Sequence, residues 1–145
     1  MAADRSQALE LLLFNTGFLY RMLRWEGRRH GIRWTALMVL KDLSLLGPLN
    51  QRQLADIEQL RPATLSLLMK ELLAEGLVSR TADANDRRAL RVRITPAGQA
   101  RLERDGARLA QSLEPLLAAL DDDALSELVR GETHLAAALR RNVEN

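Results

Sequence analysis

The densest charge cluster in this 145-residue chain is Asp86-Arg87-Arg88, preceded by Arg80 and Asp83 and followed by Arg91 and Arg93. A guanidinium carries its donors in a rigid fork that fits two oxygens of a phosphate or carboxylate at once. These arginines, opposed only by Asp83 and Asp86, suit an anionic partner. A solvated, charged turn is the plainer explanation of the same residues. Other chemistry is poorly supplied. The absence of cysteine excludes disulfides, thiolate metal sites and thiol redox switching. His30 and His134 stand apart without acidic partners at metal-ligand spacing, so no metal site is expected. No glycine-rich phosphate loop, nucleophile elbow or His-Glu pair of catalytic spacing occurs. No catalytic residue and no cofactor are expected, and the chain reads as a non-enzyme.

The elements that must carry the arginines can be read from periodicity. Residues 5 to about 29 place Leu9, Leu12, Leu13, Thr16, Leu19, Tyr20 and Leu23 at steps of three and four, one face of a helix that Gly27 and Gly31 should end. A second helix runs from about Arg33 to Leu45. "GPLN" is a turn, with Asn50 as N-cap of the next helix. "QRQLADIEQ" and "PATLSLLMKELLAEG" read as two helices joined at Leu60-Arg61, with Pro62 at a first helical position and Gly76 at a C-terminal cap. So tight a joint makes a helix-turn-helix, with Leu54, Ala55, Leu65 and Leu68 as its internal contacts.

The period then changes to two. "LVSRTA" (77–82) and "ALRVRIT" (89–95) read as strands, the second with Leu90, Val92 and Ile94 on one side and Arg91 and Arg93 on the other. "DANDRR" becomes the tip of a hairpin. From Pro96 a long helix should reach about Leu120, with Leu102, Leu109, Leu113, Leu116 and Leu120 along a seam that Pro115 kinks or cuts short. Asp121, Asp122 and Asp123 then lead into a last helix, 124–141, with Leu125, Leu128, Leu135 and Leu139 on one stripe. The three aspartates are either metal ligands or, with far more weight, the cap of that helix. The fold class is therefore mainly α (α+β): a winged helix-turn-helix with a two-stranded wing, flanked by N- and C-terminal helices.

Composition agrees with one soluble domain, at 47% apolar and 28% charged residues. No apolar run approaches the ~18 residues of a membrane span and no signal peptide is evident, so a cytoplasmic location is expected. Lys41 and Lys70 are the only lysines among 21 basic residues. Arginine-favouring codons of a GC-rich genome explain that as well as anion binding does. A winged helix sets its second helix in the major groove and its hairpin against an adjoining groove, where a narrow minor groove attracts arginine.

The run from "GPLNQRQLA" through "PATLSLLMKELLAEGLVSR" to "DANDRRALRVRITPAG" resembles the MarR family of bacterial transcriptional regulators. The likeness is best over residues 47–98, and its most specific part is Asp83…Asp86-Arg87-Arg88 followed by alternating apolar residues and Thr95-Pro96-Ala97-Gly98. The resemblance implies a single domain over 1–145, with a DNA-binding lobe at 33–95 and dimerisation helices at 1–30 and 97–145. It implies a homodimeric repressor, less often an activator, on a pseudo-palindromic operator in double-stranded DNA. By position, Arg88 matches the wing-tip arginine that enters the minor groove, Asp86 the aspartate that orients it, and Arg87 a phosphate or bracing contact. Arg80 and Arg91 complete the basic wing. On the recognition helix, Arg61, Ala63, Thr64, Ser66, Leu67 and Lys70 are the groove-facing positions. Leu67 departs from the family, where arginine is common, and either touches a thymine methyl or simply packs. That shifts the expected affinity towards the wings. The resemblance also implies a small, aromatic, anionic effector. Phe14, Phe18, Arg21, Trp25, His30 and Trp34 are its candidate site, with plain core the stronger alternative. A winged helix whose wing meets an acidic protein is the rival to DNA binding.

Overall fold

The computed structural model describes residues 4–86 and 88–143. By internal contacts the chain divides at Trp34 into two compact units, each considered by itself.

The first unit is a single long helix and the turn after it. Helix α1 spans Arg5–Arg29, and Asp4 caps it by accepting the Ser6 N–H at 3.3 Å. At its C-terminus Gly31 takes a left-handed φ of 67° and the Ile32 N–H returns to the Gly27 carbonyl at 2.8 Å. Gly31 is thus the stop glycine. Gly27 is not a terminator, contrary to the sequence expectation. It lies buried inside the helix, where an added Cβ would stand 3.0 Å from the Ile32 carbonyl oxygen. Leu9, Leu12 and Leu13 of its apolar face are exposed, as are Leu11, Phe14, Phe18 and Trp25.

The second unit holds the winged helix-turn-helix. Helix α2 (Trp34–Leu46) buries Ala36, Leu37, Val39, Leu40 and Leu43. Helix α3 (Gln51–Glu58) starts from a full capping box: Gln53 N–H donates to Asn50 Oδ1 at 2.8 Å, and Asn50 N–H donates to Gln53 Oε1 at 2.9 Å. It ends at Gln59, whose φ of 52° turns the chain back before α4 (Pro62–Ala74). Leu54, Ala55, Leu65 and Leu68 are all buried at the joint, as the spacing predicts. Met69, Leu72 and Val92 are fully buried as well. Each such leucine contributes ~2 kcal/mol by burial.

Strands β2 (Val78–Ala82) and β3 (Leu90–Ile94) pair antiparallel, from Val78 opposite Ile94 to Ala82 opposite Leu90. The sheet has a third strand that periodicity did not reveal. The two residues of β1, Leu49–Asn50, lie against β3 opposite Val92 and Arg91, giving the order β1-β3-β2. Two residues are too few to show a period. Burial along the hairpin decays toward the tip: Val92 is buried, whereas Leu90 is exposed.

Helix α5 covers Pro96–Leu113, and a 3-10 turn at Glu114–Leu116 follows it. Pro115 therefore ends the helix, because it has no N–H to donate and its ring crowds the preceding turn. Thr95 explains the start. Its side chain accepts the Gly98 N–H at 3.0 Å and donates to the Gly76 carbonyl at 2.6 Å. Gly98 itself lies against the backbone of Leu77, where a Cβ would come within 2.0 Å of the carbonyl oxygen. Helix α6 spans Asp122–Val143. Asp121 accepts the Ala124 N–H at 2.8 Å, so this aspartate is a cap. Leu125, Leu128, Val129 and Leu139 of α6 are exposed, as are Leu116 and Leu120 before it.

Candidate nucleic-acid interface

Helix α4 buries Leu65, Leu68, Met69 and Leu72 on one side. Arg61, Ala63, Thr64, Ser66, Leu67 and Lys70 are all exposed. The core residues thus fix which side of the helix is offered outward. Leu67 is 62% exposed, so within the chain it is not a packing residue. A cleft of about 440 Å³ runs beside this surface, lined by Arg52, Asp56, Pro62 and Ser66 among others.

The wing tip is built by two aspartates folding back on the backbone. Asp83 Oδ1 accepts the Asn85 N–H at 2.9 Å, and Asp86 Oδ1 accepts the Arg88 N–H at 2.9 Å. The main chain closes the tip, with Asp83 N–H donating to the Ala89 carbonyl at 2.9 Å and Ala89 N–H to the Asp86 carbonyl at 3.0 Å. Asp86 therefore reaches Arg88 through its backbone, fixing the turn on which this exposed arginine stands. Arg87 lies outside the described residues.

Two of the wing arginines are engaged within the protein. Arg91 Nε donates to Asp83 Oδ2 at 2.8 Å, and its Nη1 donates to the Pro48 carbonyl at 3.3 Å. Arg80 Nη2 donates to Gln51 Oε1 at 2.7 Å. The Asn85 N–H and then the Arg91 guanidinium hold the Asp83 carboxyl below the usual aspartate range. Sequence reading counted Asp83 only as opposing charge. The signal was present: Asp83 faces Ala89 across the hairpin, which makes Arg91, two residues on, its diagonal neighbour.

A second pair, which sequence reading did not find, lies in the same lobe. Asp42 of α2 is only 7% exposed, and its Oδ2 is buried without a hydrogen-bond donor. Glu58, at the end of α3, is half-buried beside it. Partial burial, and then the contact with Asp42, push the Glu58 carboxyl up to about 8. At neutral pH the pair therefore keeps a proton, and Glu58 can donate it to Asp42. The clue was an acid inside the apolar run "LMVLKDLSLL".

The candidate effector residues fall into separate groups. Phe14, Phe18, Arg21 and Trp25 recur at steps of four, three and four along one exposed stripe of α1, and Arg28 stands over the Trp25 ring at 5.8 Å. His30 Nε2 instead lies 3.6 Å from Glu26 Oε2. Trp34 meets Tyr20 edge to face at 6.3 Å between ring centres. Aromatics and cations are interleaved, but the stripe is open.

Comparison with known proteins agrees with this architecture. The MarR family model matches residues 32–90. An HTH-type transcriptional regulator of Bacillus subtilis, YdgG, is 30% identical over 123 residues, spanning 83% of this chain and 80% of its own. The transcriptional regulator BldR of Sulfolobus solfataricus superposes with a TM-score of 0.73 at 22% identity, covering 94% of this chain and 99% of that one. A MepR variant of S. aureus bound to an oligodeoxyribonucleotide superposes with a TM-score of 0.57 at 19% identity, over 91% and 97% of the two chains. With its winged helix-turn-helix, its capped wing and its match to the family model, the chain belongs to the MarR family of transcriptional regulators.

Proposed function

We propose that this protein represses transcription by binding a pseudo-palindromic DNA operator as a homodimer. The observation that carries this reading is the concentration of exposed donors on one lobe. The outward residues Arg61, Thr64, Ser66 and Lys70 of α4 and the exposed Arg88 and Arg93 of the wing belong to the same compact unit. A row of donors on a groove-sized helix, next to a basic hairpin, suits major-groove entry with phosphate or minor-groove contacts beside it. Residues 33–95 would then be the DNA-binding lobe, with 1–30 and 97–145 for dimerisation. The exposed leucines of α1 and α6 support the dimer, since their stripes have the composition of a core without the cover of one. A two-fold pair of lobes fits half-sites about one helical turn apart. Among the described residues no helix is long and apolar enough to cross a membrane. We place the protein in the cytoplasm, where its DNA would be, and assign it no enzymatic step.

Release by a small aromatic anion belongs to the same proposal. Arg21, between Phe18 and Trp25 on the α1 stripe, supplies the charge for a carboxylate or phenolate. His30 and Trp34 lie at the far end of the unit. The test of the DNA reading is a salt titration against DNA upstream of the protein's own gene. Log affinity should fall linearly with log salt, by about 0.9 for each neutralised phosphate on duplex DNA. A flat response, with no preference over random DNA, would favour a protein-binding wing instead.

A further inference from the structure

The wing has two struts that tie it to the helix-turn-helix, one on each strand. On β3, Arg91 bonds Asp83 at the start of the tip through Nε and the Pro48 carbonyl, in the turn before α3, through Nη1. On β2, Arg80 bonds Gln51, the first residue of α3. The β1–β3 ladder offers only two residue pairs, at Val92 and Arg91 in the middle of β3, and burial fades toward the tip. Buried Val78 and Val92 and the bonds of Thr95 to Leu77 and Gly76 anchor the base, so the struts act on the outer half of the hairpin, where burial is lost.

We infer that Asp83, acting through Arg91 and the Pro48 carbonyl, is a positioning residue for DNA binding: it sets the wing's pitch relative to the recognition helix. This rests on the DNA-binding reading above and assigns two of its charged groups a different task. On this inference the main task of Arg91 is within the protein, where Nε and Nη1 are engaged, and contact with a phosphate is the alternative that the test must separate. Asp83 is a carboxylate that strengthens the binding of a polyanion. The physical reason is preorganisation. A wing held at the right pitch loses less freedom on docking than one that must be ordered at that moment.

Simple electrostatics predicts the opposite sign, which makes the inference testable. Removing a negative charge from a DNA-facing hairpin should by Coulomb's law raise affinity. Asp83→Asn keeps one oxygen to serve two donors. Arg91→Lys keeps the charge but loses the fork that reaches both Asp83 and Pro48. The probe is a labelled duplex enriched from a random pool by the wild-type protein, titrated at several salt concentrations. The expected result is a loss of about fivefold in affinity for each variant, with the log–log salt slope unchanged. Melting midpoints of the free variants show that they are folded. Arg91→Gln, which removes the charge, tests the alternative role directly: if Arg91 contacts a phosphate, the slope should fall by about 2, one phosphate for each wing of the dimer. Unchanged or tighter binding by Asp83→Asn, or that fall in slope, would overturn the inference. Failure of the wild type to enrich or bind any duplex in a salt-dependent way would instead remove the DNA-binding reading, and this inference with it.

Discussion

Glu58→Gln should remove a pH dependence of stability that the wild type carries across neutrality. In the wild type the Glu58 carboxyl ionises at about 8 rather than its ordinary 4.5. Between those values the folded protein holds a proton that the unfolded chain has released. Stability must therefore fall as pH rises across that window. The contribution is fully present below about 4.5 and is lost as pH passes 8. One pH unit of such linkage corresponds to ~1.4 kcal/mol. Glu58 keeps part of its surface in water, so solvent screening reduces this by about half. Between pH 6 and pH 9 the wild type should then lose ~1.5 kcal/mol. Glutamine offers Asp42 a permanent N–H donor and does not ionise, so that component disappears. Urea unfolding of both proteins at pH 6, 7, 8 and 9 measures it, and the difference between the two curves cancels other titrating groups. Parallel curves, or a wild type that grows more stable toward pH 9, would refute the shared proton.

Two further outcomes test other parts of the account. Gly98→Ala would drive a methyl group against the Leu77 carbonyl oxygen, costing ~3 kcal/mol of unfolding free energy by overpacking; an equally stable variant in urea would contradict the close approach. Benzoate, a simple aromatic anion, should raise the melting midpoint and weaken duplex binding, and Arg21→Ala should abolish both effects. Benzoate effects that persist in Arg21→Ala would move the effector site elsewhere.

Where one side chain or one period fixes the backbone, the sequence was legible. Pro62, Asn50 and Gly76 marked the ends of α3 and α4, and the apolar steps between them named the buried leucines correctly. The family motif was legible as a string, and the structure supplies its physics: Thr95 caps α5, and Gly98 lets that helix lie on Leu77. The two-residue β1 left no periodic trace, and Gly27 looked like a stop although it allows a close approach inside a helix. The site was half legible. Exposure of Arg61, Lys70 and Arg88 followed from the pattern, but the bonds of Arg80 to Gln51 and of Arg91 to Pro48 did not. Those bonds join residues 29 and 43 positions apart, and no local pattern records them. The same holds for Asp42 and Glu58, which meet only once α2 and α3 have packed.

The exposed wing arginine Arg88, standing on the turn fixed by Asp86, is expected to read DNA together with α4. Fluorescence anisotropy of the wild type and Arg88→Ala, on a labelled duplex from upstream of the gene at several salt concentrations, tests this most directly. The wild type should bind with two chains per duplex and a steep negative salt slope. Arg88→Ala should bind at least about tenfold more weakly, given the worth of a charge-assisted contact. Its slope should be shallower by about 2, one contact for each wing of the dimer. Wild-type binding that Arg88→Ala leaves unchanged in both affinity and slope would contradict the claim.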